Sequence, residues 1–419
     1  MTDRLARRLG TGDAVVLGLG SMIGAGVFAA FAPAARAAGA GLLAGLAVAA
    51  LVAYCNATSS ARLAARHPSS GGTYVYGKER LGEFWGYLAG WGFVVGKTAS
   101  CAAMALTVVA YTAPGLDRPW RGLLAVAVVA ALTALNYRGV RRSALATKVI
   151  VTVSLLVLGS AVLAVAVAGD PDPARLTPFP GSGPGGVLEA AGLLFFAFAG
   201  YARLATLGEE VRDPARTIPR AIPLALGLVL VVYVLVALAV LAQLGPGGVG
   251  AAADPLARAV ADTGWSGLAP VVRAGAALAA LGALLALVLG VSRTTLAMAR
   301  DGHLPRALAA VHPRFGVPHR AEVAVGAVVA VIVAFADVRG AIGFSSFAVL
   351  AYYAIANASA LTLRRGEGAA PKVVGVTGLA GCVVLAFSLP LPSVLAGVAV
   401  LAVGAAVFAA RRAGLFGTT

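Results

Sequence analysis

Gly20-Ser21-Met22-Ile23-Gly24-Ala25-Gly26 stands in the middle of an apolar run, residues 12–38, that is long enough to cross a membrane as a helix. Glycine in a helix interior costs about 1 kcal/mol relative to alanine. In hydrocarbon, unwound backbone is tolerated only where it lines a cavity inside the protein. One reading is a helix broken at mid-membrane so that backbone groups face a ligand. The other is a close-packing face of the GxxxG type, for which Gly20 and Gly24 have the spacing. This segment alone leaves both open.

The composition sets the context. Of 419 residues, 60% are hydrophobic and 12% charged, and mean hydropathy is +0.90. A soluble chain carries about 25% charged residues. The 53 glycines follow no three-residue period and suit closely packed membrane helices. A disordered chain, a secreted disulfide scaffold and a cytosolic enzyme are excluded, and a multi-spanning membrane protein is expected. The net charge of +16 lies between apolar runs, without interleaved aromatics, so it speaks of membrane topology and not of nucleic acid. Cys55, Cys101 and Cys382 fall in separate apolar runs with no CxxC pair, which argues against a zinc site or a disulfide framework.

Twelve spans are expected, near 12–38, 41–64, 84–113, 121–137, 145–168, 187–209, 221–243, 270–299, 321–336, 340–363, 372–390 and 392–410. Met1 to Leu9, with Arg4, Arg7 and Arg8, imitates the start of a signal peptide, but eleven further spans favour a retained first helix. With the N-terminus inside, inner segments hold 24 Lys and Arg and outer loops hold 7, while Lys97 and Arg203 lie within spans. That bias places both termini in the cytoplasm of a cell-membrane protein. Residues 1–11 are then a cytoplasmic N-terminus, 12–168 a first five-helix unit and 169–186 an external Pro- and Gly-rich linker. A second five-helix unit covers 187–363, and 364–419 carries two more helices and a tail.

The sixth span repeats the oddity of the first. Phe195-Phe196-Ala197-Phe198-Ala199-Gly200-Tyr201-Ala202-Arg203 runs from aromatics into a glycine and then a mid-span arginine. Interrupted helices at matching positions of two halves point to a transporter binding site. Free amides at a half-helix start suit a carboxylate, and free carbonyls at a half-helix end suit an ammonium. A site offering both fits a zwitterion such as an amino acid.

These pieces resemble the amino acid–polyamine–organocation (APC) superfamily of permeases over nearly the whole chain. The resemblance rests on Gly20 to Phe28 and on Pro68-Ser69-Ser70-Gly71-Gly72-Thr73-Tyr74-Val75-Tyr76. It continues through Phe196 to Tyr201, Glu209-Glu210-Val211-Arg212-Asp213-Pro214 with Ile218-Pro219, and Ala299-Arg300-Asp301-Gly302-His303-Leu304-Pro305. It implies an all-α, LeuT-like five-plus-five inverted repeat with two added helices, a midplane site and alternating access. It further implies that amides of Gly24, Ala25 and Gly26, beside Ile23, take the substrate carboxylate. Carbonyls of Met22 and of Phe196 or Ala199 then take the ammonium, next to Gly200. Phe196 is the implied gate, with Phe198 or Tyr201 as other choices, and packing is the alternative role for Phe195 and Phe198. Aligning Trp91 with a family tryptophan places Lys97 on the pocket face.

The chain departs from the family pattern where many members carry an acid after the Gly-aromatic pair, since Ala202 and Arg203 stand there. Ser154 occupies the place of the lysine found in proton-coupled relatives, and Lys148 lies nearer the cytoplasmic end, where it is expected to snorkel. Neutral or acidic amino acids are therefore expected over cationic ones, with polyamine or cationic transport as the alternative. Ala274 to Val291 holds no Ser, Thr, Asn, Asp or Glu, leaving Ser292, Thr294 and Thr295 as late candidates for a sodium site. Proton coupling or exchange is expected instead, with Lys97 either the titrating group or a cation paired to a carbonyl or the substrate.

Ser69 to Thr73 lacks P-loop spacing and reads as an interfacial turn. His303, His312 and His319 share one loop at spacings unsuited to a metal. Glu209, Glu210, Arg212, Asp213, Arg216 and Arg220 read either as a solvated loop or as an inner gate. A channel and a membrane enzyme lack the expected charge rings or intramembrane clusters. A non-transporting sensor stays open. No cofactor is expected; the partners are substrate, lipid and possible coupling protons, and nothing sets the oligomeric state.

Overall fold

Each apolar run winds into helix because hydrocarbon leaves backbone N–H and C=O groups no partner outside their own segment. The computed structural model describes residues 10–67, 71–138, 144–179, 181–201, 204, 211–368 and 370–413. The first run is three pieces, α1 (Thr11–Met22), α2 (Ala25–Ala29) and α3 (Phe31–Ala38), followed by α4 (Leu42–Arg66). Next come the short α5 (Thr73–Leu81), then α6 (Glu83–Thr112), α7 (Arg118–Tyr137), α8 (Ala144–Ala168) and α9 (Pro184–Phe198). The remainder comprises α10 (Pro214–Ala251), α11 (Pro255–Ala261), α12 (Ala269–Arg300), α13 (His319–Phe335), α14 (Val338–Leu361), α15 (Lys372–Phe387) and α16 (Leu391–Arg412).

Ten stretches among the described residues are long and apolar enough to cross a membrane, where the sequence predicts twelve. The difference lies partly in length, since α13 has 17 residues and α15 has 16. The sixth run is described only as far as Tyr201 and at Leu204. Its helix ends at Phe198 and tightens into a 3-10 turn over Ala199–Tyr201, and Ala202, Arg203 and 205–210 lie outside the described residues. The seventh is longer than predicted, because α10 continues past a bend where Gly245 takes φ 68° ahead of Pro246.

Burial separates centre from periphery. α6 and α14 have 78% of their apolar windows buried in protein, against 17% for the α7 window and 22% for α16. α7 and α16 correspondingly expose Leu123, Leu124, Leu395 and Val403. All three cysteines are free and buried, and the Cys382 thiol donates to Asn56 Oδ1 at 3.3 Å.

Candidate functional site

The first run is interrupted where the sequence places the interruption. Ile23 (φ −81°, ψ 61°) closes α1, and Gly24 (φ −114°, ψ −131°) opens α2. The Ala30 amide bonds to Gly26 O at 3.0 Å, carrying the second half-helix on into α3. Its first amides, Ala25, Gly26 and Val27, have no acceptor within the helix, and no side chain caps them.

The two interruptions lie against each other. A β-carbon on Gly26 would stand 2.6 Å from Ala197 Cα and 2.7 Å from its Cβ, and one on Gly200 would overlap the Ser21 carbonyl oxygen. Tyr233 of α10 ties them: its hydroxyl lies 2.7 Å from Met22 O and 3.0 Å from Ala197 O, so one O–H serves two carbonyls. Gly20 and Gly24 face different neighbours, Val151 of α8 and Ala283 of α12, so they do not form one GxxxG seam. Close packing and an opened backbone, posed as alternatives, coexist here.

Lys97 reaches the sixth-run interruption from α6. Its Nζ, buried, donates to Ala199 O at 3.2 Å, and the Tyr353 hydroxyl of α14 reaches the same oxygen at 3.4 Å. Among the described residues no carboxylate pairs with Lys97. Trp91, which served to place Lys97, itself points elsewhere. Trp91 Nε1 donates to Val400 O of α16 at 2.9 Å, on another face from Lys97, as six residues at 3.6 per turn require. Two of the carbonyls named for an ammonium, Met22 O and Ala199 O, therefore already accept hydrogen bonds from Tyr233 and Lys97. Tyr233 and Tyr353 escaped the sequence reading, and the available signal was a single tyrosine in one apolar run and the Tyr352-Tyr353 pair in the other.

The aromatics divide by packing. Phe198 is edge-on to Tyr233 at 5.2 Å, Phe195 edge-on to Tyr353 at 5.8 Å, and Tyr201 stacks on Tyr353 at 5.0 Å. All three are fully buried, while Phe196 keeps 7% exposure. The glycine segment can thus present amides, and the rings can wall one side, of a site for a small zwitterion.

Polar contacts gather at the end of the bundle that carries α5. Tyr74 Oη lies 2.5 Å from Asp301 Oδ2 and 2.8 Å from His303 Nδ1, and His303 Nε2 faces Glu83 Oε1 at 3.5 Å. Burial pushes His303 below the usual histidine range, against the pull of Glu83 and Asp301. The Arg80 fork grips both oxygens of Glu367 and holds that carboxyl down at about 2. Lys148, expected to snorkel, is half exposed and pairs with Asp13 in the first turn of α1 at 2.7 Å. Arg216 meets Asp213 at 3.6 Å, exposed and within its own helix start; Glu209 and Glu210, the other half of the expected gate, lie outside the described residues. Ser292, Thr294 and Thr295 each donate to the carbonyl four residues back in α12, and Ser154 does so in α8.

The sequence profile described as amino acid permease matches residues 9–410. The chain belongs to the amino acid permease family. An uncharacterized transporter of Mycobacterium tuberculosis is 68% identical over 410 residues, covering 98% of this permease and 92% of the relative. A branched-chain amino acid permease of Bacillus subtilis is 29% identical over 398 residues, covering 90% and 84%. A vacuolar cationic amino acid transporter of Arabidopsis thaliana is 29% identical over 365 residues, covering 80% and 59%. The family and these relatives are transporters rather than enzymes, so the permease is a multi-pass membrane transporter of the APC superfamily.

Proposed function

We propose that this permease is a secondary transporter that moves neutral or acidic amino acids across the cell membrane by alternating access. The contact of the two helix interruptions carries this reading: Gly26 lies on Ala197, Gly200 on Ser21, and Tyr233 bridges Met22 to Ala197. Such a junction offers amides of Gly24, Ala25 and Gly26 to a carboxylate beside Ile23. Of the carbonyls, Met22 and Phe196 serve the ammonium, since Ala199 O already takes Lys97 and Tyr353, with Gly200 and Tyr201 closing the floor. Phe196 is the gate, and Phe198 supports it from behind against Tyr233.

The reading takes twelve spans, α13 and α15 included, as two inverted five-helix units, 12–168 and 187–363, joined by the outer linker 169–186. Residues 364–419 add two helices, and both termini face the cytoplasm, as the distribution of Lys and Arg supports. Transport is proton-coupled or obligate exchange, with Lys97 the titrating group. The ammonium of Lys97 on Ala199 O supports the disfavouring of cationic substrates. Counterflow of labelled amino acids in proteoliposomes, run across a panel, tests the reading. Saturable one-for-one exchange of a neutral or acidic amino acid is expected. Non-saturating currents, chemical turnover, or stronger competition by arginine or putrescine than by any neutral amino acid would overturn it.

A further inference from the structure

A second buried polar cluster lies between α7, α12 and α13. α7 and α13 run antiparallel: Gly122 near the start of α7 approaches Ala334 near the end of α13, and the Tyr137 ring lies 5.9 Å from that of His319. Between those contacts Thr133 abuts Gly326, whose β-carbon position is 2.5 Å from Thr133 Oγ1. Three residues beyond Thr133 along α7 is Asn136, and four before Gly326 on α13 is Glu322. Both therefore lie in the layer between the Thr133–Gly326 contact and the Tyr137–His319 contact. Asn136 is 2% exposed and Glu322 0%.

Hydrogen-bond arithmetic in this layer does not close for an ionised carboxylate. Asn136 Nδ2 donates to Leu285 O of α12 at 3.3 Å, so its Oδ1, on the other arm of the amide, is the atom left to accept. Among the described residues Asn136 Oδ1 and both Glu322 oxygens are buried acceptors with no donor in hydrogen-bond reach, and neither the Thr133 hydroxyl nor His319 Nδ1, each buried and unpartnered in the same layer, comes close enough to supply one. A carboxylate ion and an amide oxygen can only accept, whereas a protonated carboxyl supplies one O–H and keeps an acceptor. The charged groups around Glu322 are Arg293 on α12, which is exposed, and His319 and Arg320 on its own helix; none forms an ion pair with it among the described residues. From α7 the layer receives only the uncharged Thr133 and Asn136.

We infer that Glu322 binds a proton at this three-helix junction and donates it in a hydrogen bond to Asn136 Oδ1. The permease thereby carries a proton site built from α7 and α13, separate from Lys97 and from the helix interruptions. The site does not depend on which solute is transported.

Infrared spectroscopy of the full-length permease in lipid at neutral pH reads the site directly. The difference between wild type and Glu322→Gln is expected to show one carboxylic-acid C=O stretch, sensitive to deuterium oxide, present only in wild type. Loss of carboxylate bands alone in that difference would overturn the inference. Asn136→Leu is expected to keep the carboxylic band and move it to higher frequency, and it decides the matter where the glutamine variant fails to accumulate. An unmoved band, or no carboxylic band at all, overturns the pairing. His319→Gln is expected to leave the band in place; a band that appears only in that variant would make Glu322 the carboxylate partner of an imidazolium and sink the proposal.

Discussion

A β-carbon at Gly200 has no free space, because the Ser21 carbonyl already occupies it. Backbone cannot swing aside as a side-chain tip can, so Gly200→Ala is expected to cost about 1–3 kcal/mol as overpacking. Gly227 on α10 has nothing within 4 Å, and Gly227→Ala is expected to leave the permease unchanged or slightly firmer. Thermal unfolding of both variants in detergent checks the contrast, and equal midpoints would dissolve the close contact. The same logic applies to Gly26→Val. A valine there meets Ala197 before it meets any carboxylate, so loss of binding in that variant reports packing. Lys97 gives the cleaner test of chemistry. Lys97→Met frees the Ala199 carbonyl for a substrate cation, and competition by arginine is expected to rise about tenfold, the equivalent of ~1.4 kcal/mol. Uptake in the same variant is expected to lose its pH dependence; a pH profile identical to wild type clears Lys97 of a titrating role.

At the scale of elements, the short α5 acts as a clasp. It follows α4, turns at Gly82 (φ 105°) into α6, and meets the end of α12 through Tyr74, Asp301 and His303. Tyr74 has one hydroxyl hydrogen. If it donates to Asp301 Oδ2, then His303 Nδ1–H donates to Tyr74, and Nε2 keeps its lone pair toward the exposed Glu83. Burial lowers the His303 value in the folded clasp below its ordinary 6.5. Stability from the neutral ring is then fully present above pH 6.5 and is lost as pH falls below it. The unfolding midpoint of wild type is expected to drop between pH 7 and pH 5 by more than that of His303→Gln, and parallel pH curves would contradict this. Glu367 changes little over that interval, since its ordinary value of 4.5 and its folded value of about 2 both lie below pH 5 and its contribution is lost only between them. Much of this scale was legible beforehand. A glycine cluster marked the first interruption, and an aromatic run ending in Gly200 at the matching position of the second half marked the other. The clasp was not legible as a whole, because His303 is far along the chain from Tyr74 and Glu83 and only the fold joins them. Tyr233 was missed for a related reason. A tyrosine in an apolar run reads as packing until its hydroxyl is seen against two carbonyls.

For the whole molecule, the twelve crossings proposed above would put both termini on one side, and the Lys and Arg bias argues for the cytoplasm. A green fluorescent protein fused after Thr419 is expected to fluoresce, and alkaline phosphatase at the same place to stay inactive; the reverse pair of results would invert the topology. Tertiary packing then decides which expected features act together. Helices α6 and α14 form the enclosed centre, and Lys97 and Tyr353 reach the Ala199 carbonyl from these two. The interlocked glycines have a consequence for inheritance. Gly26 is shaped to the backbone of α9, and Gly200 to the backbone at the end of α1, so neither segment is a self-sufficient module. A chimera that took residues 12–38 from one parent and 184–201 from another would join two surfaces cut for different partners. Recombination within such a lineage must carry the two segments together, although nearly 150 residues of chain separate them.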